Sequence, residues 1–165
     1  MSIRQLFAAV FVLVPVLASA QTRQPHIKRT NPAGLSKPTG YTHVVEVSGP
    51  VKTIYVAGQV AADEAGNVIG VNDMKAQAEQ VFKNLERALT AAGAKFSDVV
   101  KMNMYATDLS QVQAIRDARA RYFGGDALPA STLVQVVRLA RPEYMLEVEV
   151  IAAVREGVRA VPATR

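Results

Sequence analysis

The chain has 165 residues, no Cys and a formal net charge of +5. This length suits one domain with a real core and is too short for two, and the missing Cys excludes disulfides, cysteine nucleophiles and thiolate metal sites. The positive charge belongs to the flanks: between residues 39 and 154 eleven Lys/Arg stand against thirteen Asp/Glu, so the core is slightly acidic and carries no interleaved basic and aromatic patch for nucleic acid.

Residues 1–20 pair an early cation, Arg4, with an apolar run from Leu6 to Leu17 and the small residues Ala18-Ser19-Ala20. This is the pattern of a secretory signal peptide cut before Gln21; the run is shorter than the ~20 residues of a membrane span. An exported protein, periplasmic or secreted and free of the membrane after cleavage, is the expectation. Residues 21–39 mix Pro, Gly, Ser and charge without period and make an extended arm. The domain is expected over 40–154, followed by a C-terminal tail over 155–165.

Tyr41 to Ser48 and Lys52 to Ala57 carry β-branched residues around a Gly49-Pro50 break and suggest an antiparallel hairpin. From Asp73 to Ala92, Met74, Ala78, Val81, Phe82, Leu85 and Leu89 recur at helical spacing, with Asn72 or Asp73 to cap the start and Gly93 to end it. Val99 to Thr107 alternates as a strand. Ser110 and Gln113 form a capping box for a second helix running to Gly124, with Val112, Ile115, Ala118 and Tyr122 on its apolar face. Thr132 to Leu139 and Tyr144 to Val154 complete the set as two strands. The order ββαβαββ is an α+β pattern, a mostly antiparallel sheet with two helices on one face.

Alternation divides the strands. Val100, Met102, Met104, Ala106, Val134, Val136, Leu146, Val148 and Val150 are expected to meet the helices. The opposite set includes Val99, Lys101, Asn103, Tyr105, Leu133, Gln135, Glu147, Glu149 and Ile151, too mixed for a plain solvated face. Such a surface suits a symmetric interface, where apolar groups exclude water and a few polar ones set geometry.

The ordered set Tyr55-Val56-Ala57-Gly58-Gln59-Val60, Gln77 with Asn84-Leu85, Ala91-Ala92-Gly93, Ser97 to Lys101, Thr107-Asp108-Leu109, Pro129-Ala130, Val134-Gln135-Val136 and Leu146-Glu147-Val148-Glu149 resembles the Rid (YjgF) family over residues 40–154. The resemblance implies a chorismate-mutase-like subunit, a homotrimer with ligand clefts between neighbours, and hydrolysis of enamines or imines to keto compounds and ammonia with neither metal nor cofactor. By the same resemblance Glu147 is the catalytic carboxylate, and the substrate-binding positions are Tyr41, Ala57, Arg116, Ser131, Thr132 and Leu133.

Three of these positions depart from the family pattern. Ser131 replaces the Arg that clamps the substrate carboxylate, Ala57 replaces a common Ser or Thr, and Arg116 replaces an Asn. A bidentate charged contact is worth ~2–4 kcal/mol, so loss of the clamp turns the expectation toward altered or reduced activity. Two functions follow: a divergent Rid-type hydrolase for a small enamine, imine or related carbonyl compound, or a non-catalytic trimer that binds a small molecule or a partner. Ribonuclease activity is disfavoured, because His26 sits in the arm and His43 is a lone strand residue.

Overall fold

The strongest local signals produce the expected long helix. In the computed structural model, which describes residues 26–125 and 127–155, α1 spans Met74–Ala91 and the Asp73 carboxylate caps it by accepting from the Ala76 N–H. Gly93 ends it in the left-handed region at φ 75°, where a side chain would be strained. Its apolar stripe, Met74, Ala78, Val81, Phe82, Leu85 and Leu89, is fully buried.

Among the described residues six strands accompany it: β1 (His26–Thr30), β2 (Val44–Ser48), β3 (Val51–Gln59), β4 (Val99–Ala106), β5 (Ala130–Gln135) and β6 (Leu146–Arg155). The second helix is α2, Val112–Ala120. The main sheet has the order β3-β6-β4-β5. Its β3/β6 and β4/β6 pairs are antiparallel and β4/β5 is parallel, the crossover being made by α2. Both helices lie over one face, and Phe82, Phe96, Tyr122 and Phe123 interlock beneath them, with Phe82 stacked on Tyr122 at 5.6 Å and Phe96 edge-on to Phe123 at 5.1 Å. The α+β architecture and the ββαβαββ order over Val44–Arg155 are as expected.

Several details differ from the local expectations. The segments around Gly49-Pro50 do not pair as a hairpin. Instead β2 takes β1 as its antiparallel partner, His26 opposite Ser48 and Thr30 opposite Val44, while β3 pairs with β6. Part of the N-terminal arm is therefore a strand, and Arg29 ties it to the domain through Nε donating to the Leu128 carbonyl at 3.2 Å. The second helix is shorter than its apolar face suggested, and Asp108 rather than Ser110 starts it. The Asp108 carboxylate accepts from the Ser110 N–H at 2.9 Å and organises a short turn, Leu109–Gln111, that leads into α2.

Two faces are inverted relative to simple alternation. The β4/β6 register shifts between Val99 and Lys101. This bulge turns Val99 into the core, fully buried, and leaves Val100 half-buried. On β5, Leu133 stands opposite Met104 and packs on the core, whereas Val134 stands opposite Tyr105 and is 40% exposed. The expected assignment of Val134 to the helices and Leu133 to the open face is thus reversed. A one-residue change of register moves every side chain of a strand to the other face.

Candidate functional site on the open sheet face

The face of the sheet away from the helices presents Tyr55 on β3, Glu147, Glu149 and Ile151 on β6, Lys101, Asn103 and Tyr105 on β4, and Thr132 on β5. Glu149 is held by two donors on one oxygen, Asn103 Nδ2 at 2.8 Å and the Tyr105 hydroxyl at 3.1 Å. The hydrogen bond to Glu149, then burial and the charges of Glu149 and Glu147, push the Tyr105 phenol above its ordinary pKa. Tyr105 therefore remains a protonated donor across the neutral range.

Glu147 stands directly opposite Tyr105 in the β4/β6 register. Its side chain lies across Gly58 of β3: a Cβ on Gly58 would fall 1.9 Å from Glu147 Oε1, 2.7 Å from Cδ and 2.9 Å from Cγ. A glycine within a strand often marks such a close approach, and here it opens the place for the carboxylate beside the irregularity between Val56 and Gln59. Glu147 and Tyr105 share a groove of about 560 Å³ with Val136, Arg138, Leu139 and Glu149. A second groove of about 310 Å³ adjoins it through Glu149 and contains Ala57, Lys101 and Asn103. Lys101 Nζ there donates to Thr132 Oγ1 at 2.7 Å.

The sequence-named residues divide between two regions. Glu147, Ala57 and Thr132 belong to the open face. Ser131 and Leu133 face the core side of β5, opposite Met102 and Met104, so Ser131 does not line the Glu147 groove within one chain. Tyr41 packs edge-on against His43 at 5.2 Å, and its neighbour Thr42 is buried and fastened to the start of β5, with N donating to Pro129 O at 3.0 Å and Oγ1 to Leu128 O at 2.8 Å. Arg116 lines a pocket with Thr39 and Gly40 on the helix side. His43 is committed to the loop, its Nε2 2.8 Å from the Ser36 carbonyl.

Local reasoning assigns no site role to Gly58, Tyr105 or Arg138, although alternation already sets Tyr105 on the face of Glu147 and a glycine inside an alternating strand is a readable signal for Gly58. Arg138, in the segment after β5, becomes a neighbour of Glu147 only through the tertiary structure. Among the described residues no three of His, Cys, Asp and Glu gather at a spacing suited to a metal ion.

Residues 34–154 match the family model described as Endoribonuclease L-PSP. The chain belongs to the Rid (YjgF) family. A RutC family protein of Pyrococcus abyssi is 35% identical over 117 residues, 70% of this chain and 88% of that protein. The mouse protein named 2-iminobutanoate/2-iminopropanoate deaminase is 34% identical over 112 residues, 68% of this chain and 79% of that one. Among solved structures, a Rid family protein from Yersinia pestis superposes with a TM-score of 0.71 at 34% identity, over 78% of this chain and 98% of that one. The Rid match covers both grooves of the open face, and it places Glu147 within the matched region.

Proposed function

We propose that this chain is a hydrolase of a small enamine, imine or related carbonyl compound, acting in clefts that the open sheet faces of a homotrimer enclose. The observation that carries the proposal is the Glu147 carboxylate, seated over Gly58 beside Tyr105 in a groove with Arg138. Family membership and the printed activity of the mouse relative support it. So does the exposure of apolar surface on the same face, with Tyr55 at 78%, because association would bury it.

The chemistry needs a general base and a positioned water. An enamine first takes a proton on carbon, giving the iminium ion. Glu147 removes one proton from water as its oxygen attacks the iminium carbon, forming a carbinolamine. The proton then passes from Glu147 to nitrogen; the C–N bond breaks as the carbinolamine hydroxyl gives its own proton to Glu147, and ammonia leaves with the ketone or keto acid as the other product, the proton on Glu147 returning to solvent in place of the one the enamine took up. Tyr105, kept protonated by Glu149, supplies a hydroxyl beside Glu147, and Arg138 supplies a cation for a polar or acidic end of the substrate.

Purified protein is expected to accelerate ammonia release from freshly generated imines, and Glu147→Gln to abolish the acceleration. Equal rates with and without protein would overturn the proposal. A sizing experiment that returns a monomer at micromolar concentration would remove the clefts.

A second function rests on Ser131, which occupies the position of the family's clamping Arg. It is a non-catalytic trimer that binds a small molecule or a partner through the same grooves. Ser131→Arg separates the two: hydrolysis of imino acids gained in the variant supports a latent active site, and none gained supports the binding protein. Export of the chain, with cleavage before Gln21, is part of the same proposal, although residues 1–25 lie outside those the structure describes. An intact mass beginning at Gln21 in the exported fraction would support it.

A further inference from the structure

On the helix side of the molecule, Thr39, Gly40, Arg116, Arg119, Phe123 and Leu128 line a pocket of about 320 Å³. We propose that this pocket is an anion site, in which the guanidinium groups of Arg116 and Arg119 together hold a compact oxyanion, a carboxylate or a phosphate group. This inference goes beyond the Glu147 reaction: within the chain neither arginine lines the Glu147 groove.

The two arginines are three residues apart on α2 and so share one helix face. Like charges at that spacing repel unless something negative lies between them. No acidic side chain among the described residues lines the pocket. The nearby charged groups are engaged elsewhere: Asp117 accepts from Gln113 Nε2 at 2.7 Å, and Glu79 pairs with Arg121 at 2.8 Å.

Arg119 is held in place rather than free. One of its terminal nitrogens donates to the Gly40 carbonyl, and its guanidinium lies over the Phe123 ring, 5.4 Å from the centroid. Gly40 permits that approach, being in the left-handed region at φ 77° with a Cβ position only 3.0 Å from Arg119 Nη1. Its Nε is buried and has no hydrogen-bond partner. A buried donor left unsatisfied is costly, and desolvation already lowers the Arg119 pKa below the usual arginine value. An oxyanion in the pocket would accept from the terminal nitrogens of the two guanidinium groups, neutralise the pair and use the planar fork that arginine offers to carboxylate and phosphate alike.

The test is a titration of the purified protein with acetate and, separately, inorganic phosphate at fixed low ionic strength, following the arginine Nε–H resonances by NMR and the heat of binding by calorimetry. Arg119→Lys identifies the Arg119 Nε signal by removing it. The expected result is a saturable shift of that signal with at least one anion, and affinity weakened about tenfold or more in Arg116→Gln, whose exposed side chain can be changed without disturbing the core. The tighter of the two anions names the ligand class. Glu147→Gln is expected to bind as wild type does, which keeps this result separate from the fate of the hydrolase proposal. No saturable shift with either anion, unchanged affinity in Arg116→Gln, or loss of binding in Glu147→Gln would each overturn the inference.

Discussion

Gly58→Ala is a small change with a sharp expected consequence. The glycine backbone is not in the left-handed region, so alanine fits the strand and even gains about 0.5–1 kcal/mol of intrinsic preference over glycine. The new methyl, however, would begin 1.9 Å from Glu147 Oε1 and 2.9 Å from Cγ. An ordinary contact of about 3.4 Å requires the carboxylate to retreat by about 1.5 Å, and because Cγ is also too close the whole side chain must change rotamer. A shift of that size at a catalytic group costs on the order of 10²-fold in rate, whereas a strained rotamer costs only about 1 kcal/mol in stability. The expected outcome is a thermal midpoint within about 4 °C of wild type and kcat for imine hydrolysis reduced about a hundredfold, with ammonia release as the assay. A variant that folds normally and turns over at the wild-type rate would refute the assignment of Glu147 as the base. One that unfolds would refute the claim that the side chain can move aside.

Three further outcomes follow from local structure. Asp73→Ala removes the cap of α1 and is expected to cost about 1 kcal/mol, seen as a fall of about 4 °C in thermal melting. Gln77→Leu is expected to cost about 3 kcal/mol or more by chemical denaturation, because the buried amide donates to the Gly70 and Glu143 carbonyls and accepts from the Met145 N–H, three groups that leucine leaves unsatisfied. Asp63 is held below the ordinary carboxylate pKa chiefly by its hydrogen bond from the Asn67 side chain, and Asp108 by that from Gln111. Their contribution is therefore complete above about pH 4, the unfolded value, and is lost as the pH falls through the lower folded values. Asp63→Asn is expected to flatten the acid limb of a stability-against-pH profile, and an unchanged limb would contradict the assignment.

How far the sequence determined this protein depends on how local each signal is. The long helix was legible because its stripe, its Asp73 cap and its Gly93 stop all lie within twenty residues and agree with one another. The core side of β6 was legible for the same reason, Leu146, Val148 and Val150 alternating with Glu147 and Glu149. Family motifs spread over the chain identified the fold and drew attention to Glu147. Tertiary structure alone decided who stands beside whom. Alternation reports a side chain's face only relative to its own strand, so the bulge at Val99–Val100 and the register of β5 against β4 escaped it. The same limit hid the β1/β2 pairing, the seat of Glu147 over Gly58 and the capture of Arg119 by Gly40. Each of these is a contact between residues remote in sequence, formed only when strands and helices commit to partners.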